Sequence, residues 1–185
     1  GVETLAVSLD ADDPEGALIT ALDDKTRLLS ISSVQYGTGL RLDLERLGRA
    51  CRERGVLFCV DAIQSLGAHP VDAQAVQADF MVADGHKWML GPEGLALFYT
   101  RPEVRDQLFL RQHGWHMTDD PGNFDRHDWQ PAASAQRFEC GSPNLLCAHA
   151  LSASLSLLLE AGMETVAERI EARIARIEER LRRTE

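Results

Sequence analysis

The chain has 185 residues, 44% of them hydrophobic and 26% charged, a composition typical of a globular protein with one substantial core. Its formal net charge of −10, without a basic stripe outside the last predicted helix, argues against nucleic acid as a partner. No apolar stretch approaches the roughly 20 residues that span a bilayer, and no signal segment opens the chain. We therefore expect no membrane partner and a cytoplasmic location.

The first third of the chain alternates strand and helix patterns. Residues 3–9 alternate like a strand, and a helix begins near Pro14. Residues 26–34 form a continuous apolar run of the kind that lies inside a parallel sheet covered on both faces. Residues 43–54 have apolar positions at helical spacing, with Asp43 as the N-cap and Gly55 as the stop.

The middle of the chain continues the same alternation. We predict strands at 56–60 and 79–83, joined through a short helix at 72–76. Repeated strand, helix and strand units indicate a parallel sheet. Residues 95–100 form a further strand whose link is too short for a crossover helix, so we predict that it runs antiparallel. The predicted fold class is α/β, with three layers and a mainly parallel sheet flanked by helices.

The last third is predicted to be a loop followed by helices. A short helix starts at residues 101–103, and residues 111–136 have no clear period and indicate a long ordered loop. Residues 145–161 are rich in Ala, Leu and Ser and predict a helix that buries most of its circumference. A final helix from about 164 to 183 carries one apolar stripe between charged faces, which suits packing on a partner surface.

Two predicted strands end in chemically distinctive residues. Strand 56–60 ends on Asp61, with Gln64 three residues later, and strand 79–83 opens into Asp84-Gly85-His86-Lys87-Trp88. Ligands bind beyond the carboxyl ends of strands in open parallel sheets, so the two groups are expected to face one pocket. A lysine at a strand end is suited to Schiff-base chemistry with an aldehyde cofactor such as pyridoxal 5'-phosphate (PLP).

PLP chemistry requires a lysine amine that holds the aldehyde and an anion that keeps the pyridine nitrogen protonated. Lys87 fits the first role and Asp61 the second, while Gln64 is placed to donate a hydrogen bond to the ring oxygen. His86 is placed to reach the phosphate or to orient the lysine. Each motif alone has an ordinary explanation, since an Asp at a strand end is often a helix cap; the combination favours the cofactor site.

The segments VDAIQSLG at 60–67 and DGHKWMLGPEG at 84–94 resemble the class V branch of the PLP-dependent aminotransferases. The resemblance extends from residues 30–39 to RFECGSPN at 137–144. It implies a fold type I large domain, a homodimer with active sites at the subunit interface, and an internal Schiff base on Lys87. It also implies that Ser142, in place of the family's threonine, reaches the phosphate of the neighbouring subunit's cofactor.

Two residues depart from the cysteine desulfurase pattern within this family. Asp84 replaces a phosphate-binding serine, and a carboxylate beside a phosphate is repulsive unless it is paired or points away. Tyr36 replaces an asparagine near the cofactor ring. Both differences favour relatives that resemble isopenicillin N epimerase and kynureninase over cysteine desulfurases.

The resemblance also implies that parts of the family fold lie outside this chain. The family's glycine-rich phosphate loop and ring-stacking aromatic residue belong upstream, and its substrate-binding arginine belongs to a small C-terminal domain. We therefore expect residues 1–162 to be a partial PLP-binding large domain. Residues 163–185 are expected to be a helix that leads toward the absent small domain.

The remaining cysteine, histidine and tryptophan residues give weaker signals. The four cysteines have no paired spacing and indicate reduced packing residues, and Cys140 has no neighbour that would activate it as a nucleophile. His113 and His116 lack a third metal ligand, so no metal is expected. Trp115 is either near the active site or an anchor of the loop. A flavodoxin-like nucleotide site is disfavoured because no glycine-rich turn follows a strand.

The leading functional hypothesis is a PLP-dependent enzyme that acts on an amino-acid substrate. Transamination, elimination (lyase) and epimerisation all remain open, because each begins with proton abstraction at Cα by Lys87. The alternative is a non-catalytic fragment or pseudoenzyme that serves as a dimerisation or scaffold module.

Overall fold

The structure is a computed structural model and describes residues 1–183. The helices and strands lie, in chain order, at α1 Pro14–Ala21, β1 Leu28–Ser32, α2 Leu44–Arg54, β2 Leu57–Asp61, β3 Phe80–Asp84, β4 Ala96–Thr100, α3 Pro102–Arg105, α4 Leu145–Ala161 and α5 Met163–Arg182. Single 3-10 turns lie at Trp115–Met117, within the predicted loop, and at Ala135–Phe138, across its end. Residues 184 and 185, the end of the predicted C-terminal segment, lie outside the described residues.

The four strands form one mixed sheet in the order β1-β2-β3-β4. β1 pairs parallel to β2, β2 pairs parallel to β3, and β3 pairs antiparallel to β4. The predicted fold class, a mainly parallel sheet flanked by helices with one antiparallel strand, is confirmed. The helix predicted from residue 43 is also confirmed, since the Asp43 side chain accepts from the Arg46 N–H and Gly55 ends the helix at a φ of 65°.

The core lies on one face of the sheet. Leu29, Phe58 and Met81 project from β1, β2 and β3 into a cluster that α1, α2 and α4 cover with Leu18, Leu47 and Leu151. Phe58 and Leu47 are fully buried at its centre. Burial of such side chains stabilises the fold by about 1.5–3 kcal/mol each, so this single face provides most of the hydrophobic stabilisation.

The opposite face of the sheet is largely open. Phe98 of β4 stacks against Phe80 and meets the edge of Phe138, which covers this face near β4. The face stays exposed in β1, where Leu28 is 49% accessible, and in part of β3, where Val82 is 37% accessible. The expectation that residues 26–34 are covered on both faces is therefore wrong for the described residues. Asp61 projects from this open face, because it pairs in register with Val82.

Three further expectations are corrected. Residues 3–9 form no strand, because no described strand pairs with them and Leu5 is 77% exposed. Residues 72–76 form hydrogen-bonded turns instead of a helix: the Asp72 carboxylate accepts from the N–H groups of Gln74 and Ala75 and caps a segment too short to continue. α4 buries only one stripe, at Leu151, Ser154 and Leu158.

α4 and α5 line a cleft together with residues that follow β1 and β2. Its volume is about 1490 Å³, and its apolar wall includes Leu155, Leu158 and Leu159 of α4. Arg41 also lines the cleft and forms an ion pair with Glu171 of α5, in which the Nη1–Oε1 distance is 3.0 Å. Within residues 1–183 no single helix meets the length and hydropathy of a membrane span; only α4 and α5 taken together do, and they are bent by 78° at their junction.

One buried carboxylate connects three strands. The Asp79 side chain accepts from the Phe58 N–H at 2.8 Å and from Arg101 Nε at 2.7 Å. Its own N–H donates to the Phe58 carbonyl at 2.9 Å, and its carbonyl accepts from the Arg101 N–H at 2.9 Å. Asp79 therefore exchanges hydrogen bonds with Phe58 of β2 on one side and accepts two hydrogen bonds from Arg101, the residue after β4, on the other.

The substitution Asp79→Asn should reduce the free energy of unfolding by roughly 2–3 kcal/mol, because an amide nitrogen cannot accept and one charge-assisted bond to Arg101 or Phe58 is lost. Urea unfolding followed by tryptophan fluorescence measures the change. Asp106→Asn is the matched control, since this carboxylate pairs with Arg137 but is itself exposed and should contribute less than about 1 kcal/mol. Equal losses in the two variants would contradict the role of Asp79.

Candidate functional site

The carboxyl ends of β2 and β3 meet at one edge of the sheet. Asp61 is the last residue of β2, and its Cα pairs with that of Val82, two residues before Asp84 at the end of β3. The parallel pairing therefore places the two motifs found in the sequence, at 61–64 and 84–88, side by side. This is the edge at which open parallel sheets bind ligands.

The Asp61 carboxylate is held by two donors. Ser32 Oγ, at the end of β1, donates to Oδ2 at 3.2 Å, and the Ile63 N–H donates to Oδ1 at 3.0 Å. Ser32 and Asp61 are paired in register, so the hydroxyl and the carboxylate project from the same face. The carboxylate is thus fixed in orientation, only partly buried, and free to contact a cation or an N–H group placed over the open face.

Gln64 is tied to the second motif through Trp88. The indole Nε1 of Trp88 donates to Gln64 Oε1 at 3.1 Å. The amide Nε2 of Gln64 has no partner among residues 1–183, so it keeps both of its N–H donors. The contact joins the turn after β2 to the loop that carries Lys87.

Close backbone packing fixes the position of that loop. Gly67 has a φ of 96°, and a Cβ there would lie 2.5 Å from the backbone C and O atoms of Trp88. The Gly91 N–H donates to the Gly85 carbonyl at 2.9 Å and closes the loop on itself. Leu90 adopts a positive φ of 58° inside it, a conformation that costs a non-glycine residue about 1 kcal/mol or more.

Lys87 and His86 lie on this loop with different surroundings. Lys87 is exposed, and its Nζ forms no hydrogen bond or ion pair with any described residue. His86 Nδ1 lies 2.9 Å from Oδ1 of Asp84, and neither atom has another partner among residues 1–183. The contact with His86 lowers the pKa of the Asp84 carboxyl below its usual range. The carboxylate that departs from the family pattern is therefore paired.

No hydrogen bond or ion pair among the described residues joins Ser142 or Tyr36 to these four residues. Ser142 is exposed just before α4, and no described residue hydrogen bonds to its side chain. The start of α4 is nevertheless anchored beside the Lys87 loop, because Asn144 Nδ2 donates to the Gly94 carbonyl at 3.4 Å. Tyr36 is 92% exposed in the turn after β1.

The other candidate groups have ordinary surroundings. Within residues 1–183 no group of three His, Cys, Asp or Glu side chains is arranged to hold a metal ion. His116 Nδ1 lies 3.4 Å from a carboxylate oxygen of Glu139.

The four cysteines are free thiols, and burial raises the pKa of Cys51 to about 11, which keeps it protonated. The 1490 Å³ cleft is lined by neither Asp61 nor Lys87.

Two residues of the site were missed in the sequence. Ser32 orients the Asp61 carboxylate, and Trp88 orients Gln64. Ser32 was detectable as the polar residue at the carboxyl end of the neighbouring parallel strand. Trp88 lies next to Lys87 in the motif, but its hydrogen bond depends on a close approach that no local pattern encodes.

Comparison with known proteins identifies the class of protein that this fold and site define. The family model for class V aminotransferases matches residues 9–185. The chain therefore belongs to the class V aminotransferase family.

Two curated relatives represent the similarity in sequence. The cysteine desulfurase IscS of Shewanella baltica is 40% identical over 101 residues, which are 55% of this chain and 25% of that protein. The uncharacterized aminotransferase YcbU of Bacillus subtilis is 30% identical over 151 residues, 82% of this chain and 40% of that protein. The chain thus spans well under half the length of either relative.

Solved structures share the fold. An apo cysteine desulfurase from Thermococcus onnurineus is 27% identical with a TM-score of 0.75, over 89% of this chain and 39% of that one. A C-DES variant with glycine covalently linked to its PLP cofactor is also 27% identical, with a TM-score of 0.76 over 89% of this chain and 43% of that one. These relatives include cysteine desulfurases and an aminotransferase, so the expected preference for epimerase-like and kynureninase-like relatives stays a prediction.

The close approach of Gly67 to Trp88 yields a test of the site geometry. Gly67→Ala should displace the Trp88 backbone and lengthen the hydrogen bond to Gln64, because the added Cβ overlaps the Trp88 carbonyl and the φ of 96° strains alanine. The expected loss of stability is roughly 1–3 kcal/mol.

Hydrogen exchange of the Trp88 indole N–H, followed by NMR, reports the bond directly. It should accelerate in Gly67→Ala and stay unchanged in Gly37→Ala, where nothing lies within 4 Å of the added Cβ and φ is not positive. Unchanged exchange in both variants would show that Gly67 does not position Trp88.

Proposed function

We propose that the protein is a PLP-dependent enzyme that acts on the Cα of an amino-acid substrate, with Lys87 as the residue that binds the cofactor covalently. The observation that carries the proposal is the meeting of Asp61, Gln64 and the His86-Lys87 pair at the carboxyl edge of two parallel strands. Family membership over residues 9–185 supports the cofactor assignment.

The side chains present fit the cofactor. Lys87 offers an unpaired amine, which is the group that condenses with an aldehyde. Asp61 offers a carboxylate held by Ser32 and Ile63, suited to the protonated pyridine nitrogen. Gln64 retains two N–H donors for the ring oxygen, because its Oε1 is already bonded to Trp88. When bound, PLP supplies an electron sink for a carbanion at the substrate Cα.

His86 and Asp84 form the proposed phosphate side of the site. Asp84 engages Nδ1 of His86. In the imidazolium form of His86, in which both ring nitrogens are donors, Nε2 would donate toward a phosphate oxygen. The pairing also reduces the repulsion between the Asp84 carboxylate and a phosphate, because Asp84 is directed at the imidazole. Ser142 is exposed, as its proposed contact with the cofactor of a second subunit requires. The homodimer expected from the resemblance is part of this proposal.

Within this site the residues have distinct tasks. The amine of Lys87 would be the base that removes and returns the Cα proton. Asp61 maintains the proton on the pyridine nitrogen through its charge, and Ser32 fixes the direction of that carboxylate. Transamination, elimination and epimerisation all require these steps, so the residues support the shared proton transfer and leave the later reaction open.

The covalent assignment can be tested with high selectivity, because the chain contains only two lysines, Lys25 and Lys87. The purified protein is incubated with PLP and reduced with borohydride, and the modified peptides are mapped by mass spectrometry. The pyridoxyl label should lie on Lys87 in the wild type and in Lys25→Ala, the matched control. It should disappear in Lys87→Ala, whose fold should be intact because the side chain is exposed. A label retained in Lys87→Ala would exclude the assignment.

Asp61→Asn should weaken catalysis more than cofactor binding, because it removes the charge opposite the pyridine nitrogen while keeping the shape. Exchange of the Cα hydrogen of each standard amino acid in D2O, followed by proton NMR, measures the shared step of all three reactions. We expect a fall of about 100-fold, with PLP retained, and no change in the surface control Asp24→Asn.

The same assay separates the enzyme from the scaffold alternative. Wild-type protein that is labelled at Lys87 but exchanges no Cα hydrogen would favour a non-catalytic scaffold. Equal exchange in Asp61→Asn and in the wild type would show that Asp61 does not act at the pyridine nitrogen.

A further inference from the structure

A second, smaller cavity lies in the long loop between α3 and α4, away from Lys87. Its volume is about 380 Å³, within the range of cavities that bind small molecules. The aromatic side chains of Trp115, Phe124 and Trp129 line it, and none of the proposed PLP-binding residues does. No part of the proposed PLP chemistry uses this cavity.

The walls of this loop cavity are held in place by backbone pairing. The Ala132 N–H donates to the Met117 carbonyl at 2.9 Å, and the Asp119 N–H donates to the Gln130 carbonyl at 2.9 Å. Met117 is fully buried beneath these contacts. The loop from 119 to 130, which carries Phe124 and Trp129, is therefore closed at its base.

Two pairs of aromatic rings lie close together in the cavity lining. The ring centroids of Trp115 and Phe124 are 6.0 Å apart and tilted by 50°, and the ring of His113 meets Trp129 at 6.3 Å. Trp115 and Trp129 are each a little under half exposed, at 43% and 44%. Their faces carry no cation from the described residues, in contrast to Phe109, over which the Arg111 guanidinium lies. The electron-rich ring faces are available to a ligand.

The polar groups of the cavity give it a negative balance. Arg126 is the one Lys or Arg in the lining, and its guanidinium is paired with Asp119 at 2.9 Å and Asp128 at 3.0 Å. The bond from Arg126 lowers the pKa of Asp119, which is therefore ionised at neutral pH. The carboxylate of Asp120, also in the lining, accepts among the described residues only from the neutral side-chain amide of Asn123, at 2.9 Å. Its negative charge is left without a cationic partner among residues 1–183.

We propose that this loop cavity is a binding site for an organic cation of the alkylammonium class. Aromatic faces attract a desolvated ammonium through their quadrupoles, and a nearby carboxylate adds charge. Trp115, Phe124 and Trp129 provide the faces, and Asp120 provides the unpaired charge. Neither an anion nor a neutral ligand would use both features.

The test compares two ligands of the same shape. Choline and its uncharged isostere 3,3-dimethyl-1-butanol are titrated into 15N-labelled protein while the Trp115 and Trp129 indole resonances are followed by NMR. Saturable shifts with choline, at least about fivefold weaker for the isostere, are expected, a factor that corresponds to a cation–π contact of about 1 kcal/mol. Equal affinity for both ligands, or no saturable shift with choline, would overturn the proposal.

Two pairs of variants locate the site. Phe124→Leu and Asp120→Asn should each weaken choline binding several-fold, and Asp120→Asn should leave the isostere unaffected. Phe109→Leu and Asp24→Asn are the matched controls: one removes an exposed ring outside the cavity and the other removes an equal charge elsewhere. All four side chains are exposed, so the fold should be retained. Choline binding that is unchanged in Phe124→Leu and Asp120→Asn would place the cation elsewhere and refute the assignment.

Discussion

The arrangement of the sheet depends on the buried carboxylate of Asp79. Its side chain and its backbone each bond to Phe58 on one side and to Arg101 on the other, so it ties the neighbouring strands to a single register. A slip of one residue would turn every side chain of a strand to the opposite face. It would also separate these donors from a buried charge, which is costly. The register that brings Asp61 beside Val82 follows from this constraint.

The geometry of the candidate site depends on that strand register. Ser32, Asp61 and the loop after β3 lie at one edge because three parallel strands end there together. The loop then reaches back over the turn after β2, where the absence of a side chain at Gly67 admits the Trp88 backbone and allows the Trp88 indole to bond to Gln64. Packing thus brings two separate sequence motifs together into one candidate site, in which the side chain of Lys87 is exposed and unpaired among the described residues.

The uncovered surfaces are a second consequence of the architecture. The core forms on one face of the sheet, and the face that carries Asp61 remains open toward β1. The apolar stripe of α5 is likewise exposed at Ile174 and Ile177. Exposed apolar surface of this kind is typical of interfaces, and the chain spans only 25% to 40% of the curated relatives named above. The expected division into a PLP-binding large domain at 1–162 and a helix at 163–185 stays a prediction.

The sequence by itself determined the strand and helix order from residue 14 onward, apart from residues 72–76, together with the antiparallel last strand and the two motifs. Local patterns sufficed there, because hydrophobic period, helix caps and strand-end polar residues act within a few positions. The tertiary structure decided which faces are buried, why residues 3–9 remain unpaired, and that Ser32 and Trp88 support the site. It also paired Asp84 with His86 and assembled the aromatic loop cavity. The Ser32–Asp61 and Trp88–Gln64 bonds join residues distant in sequence, which no local pattern specifies. Asp84 and His86 are close in sequence, as are the residues of the loop cavity, but hydrophobic period and helix caps do not specify which of their side chains meet.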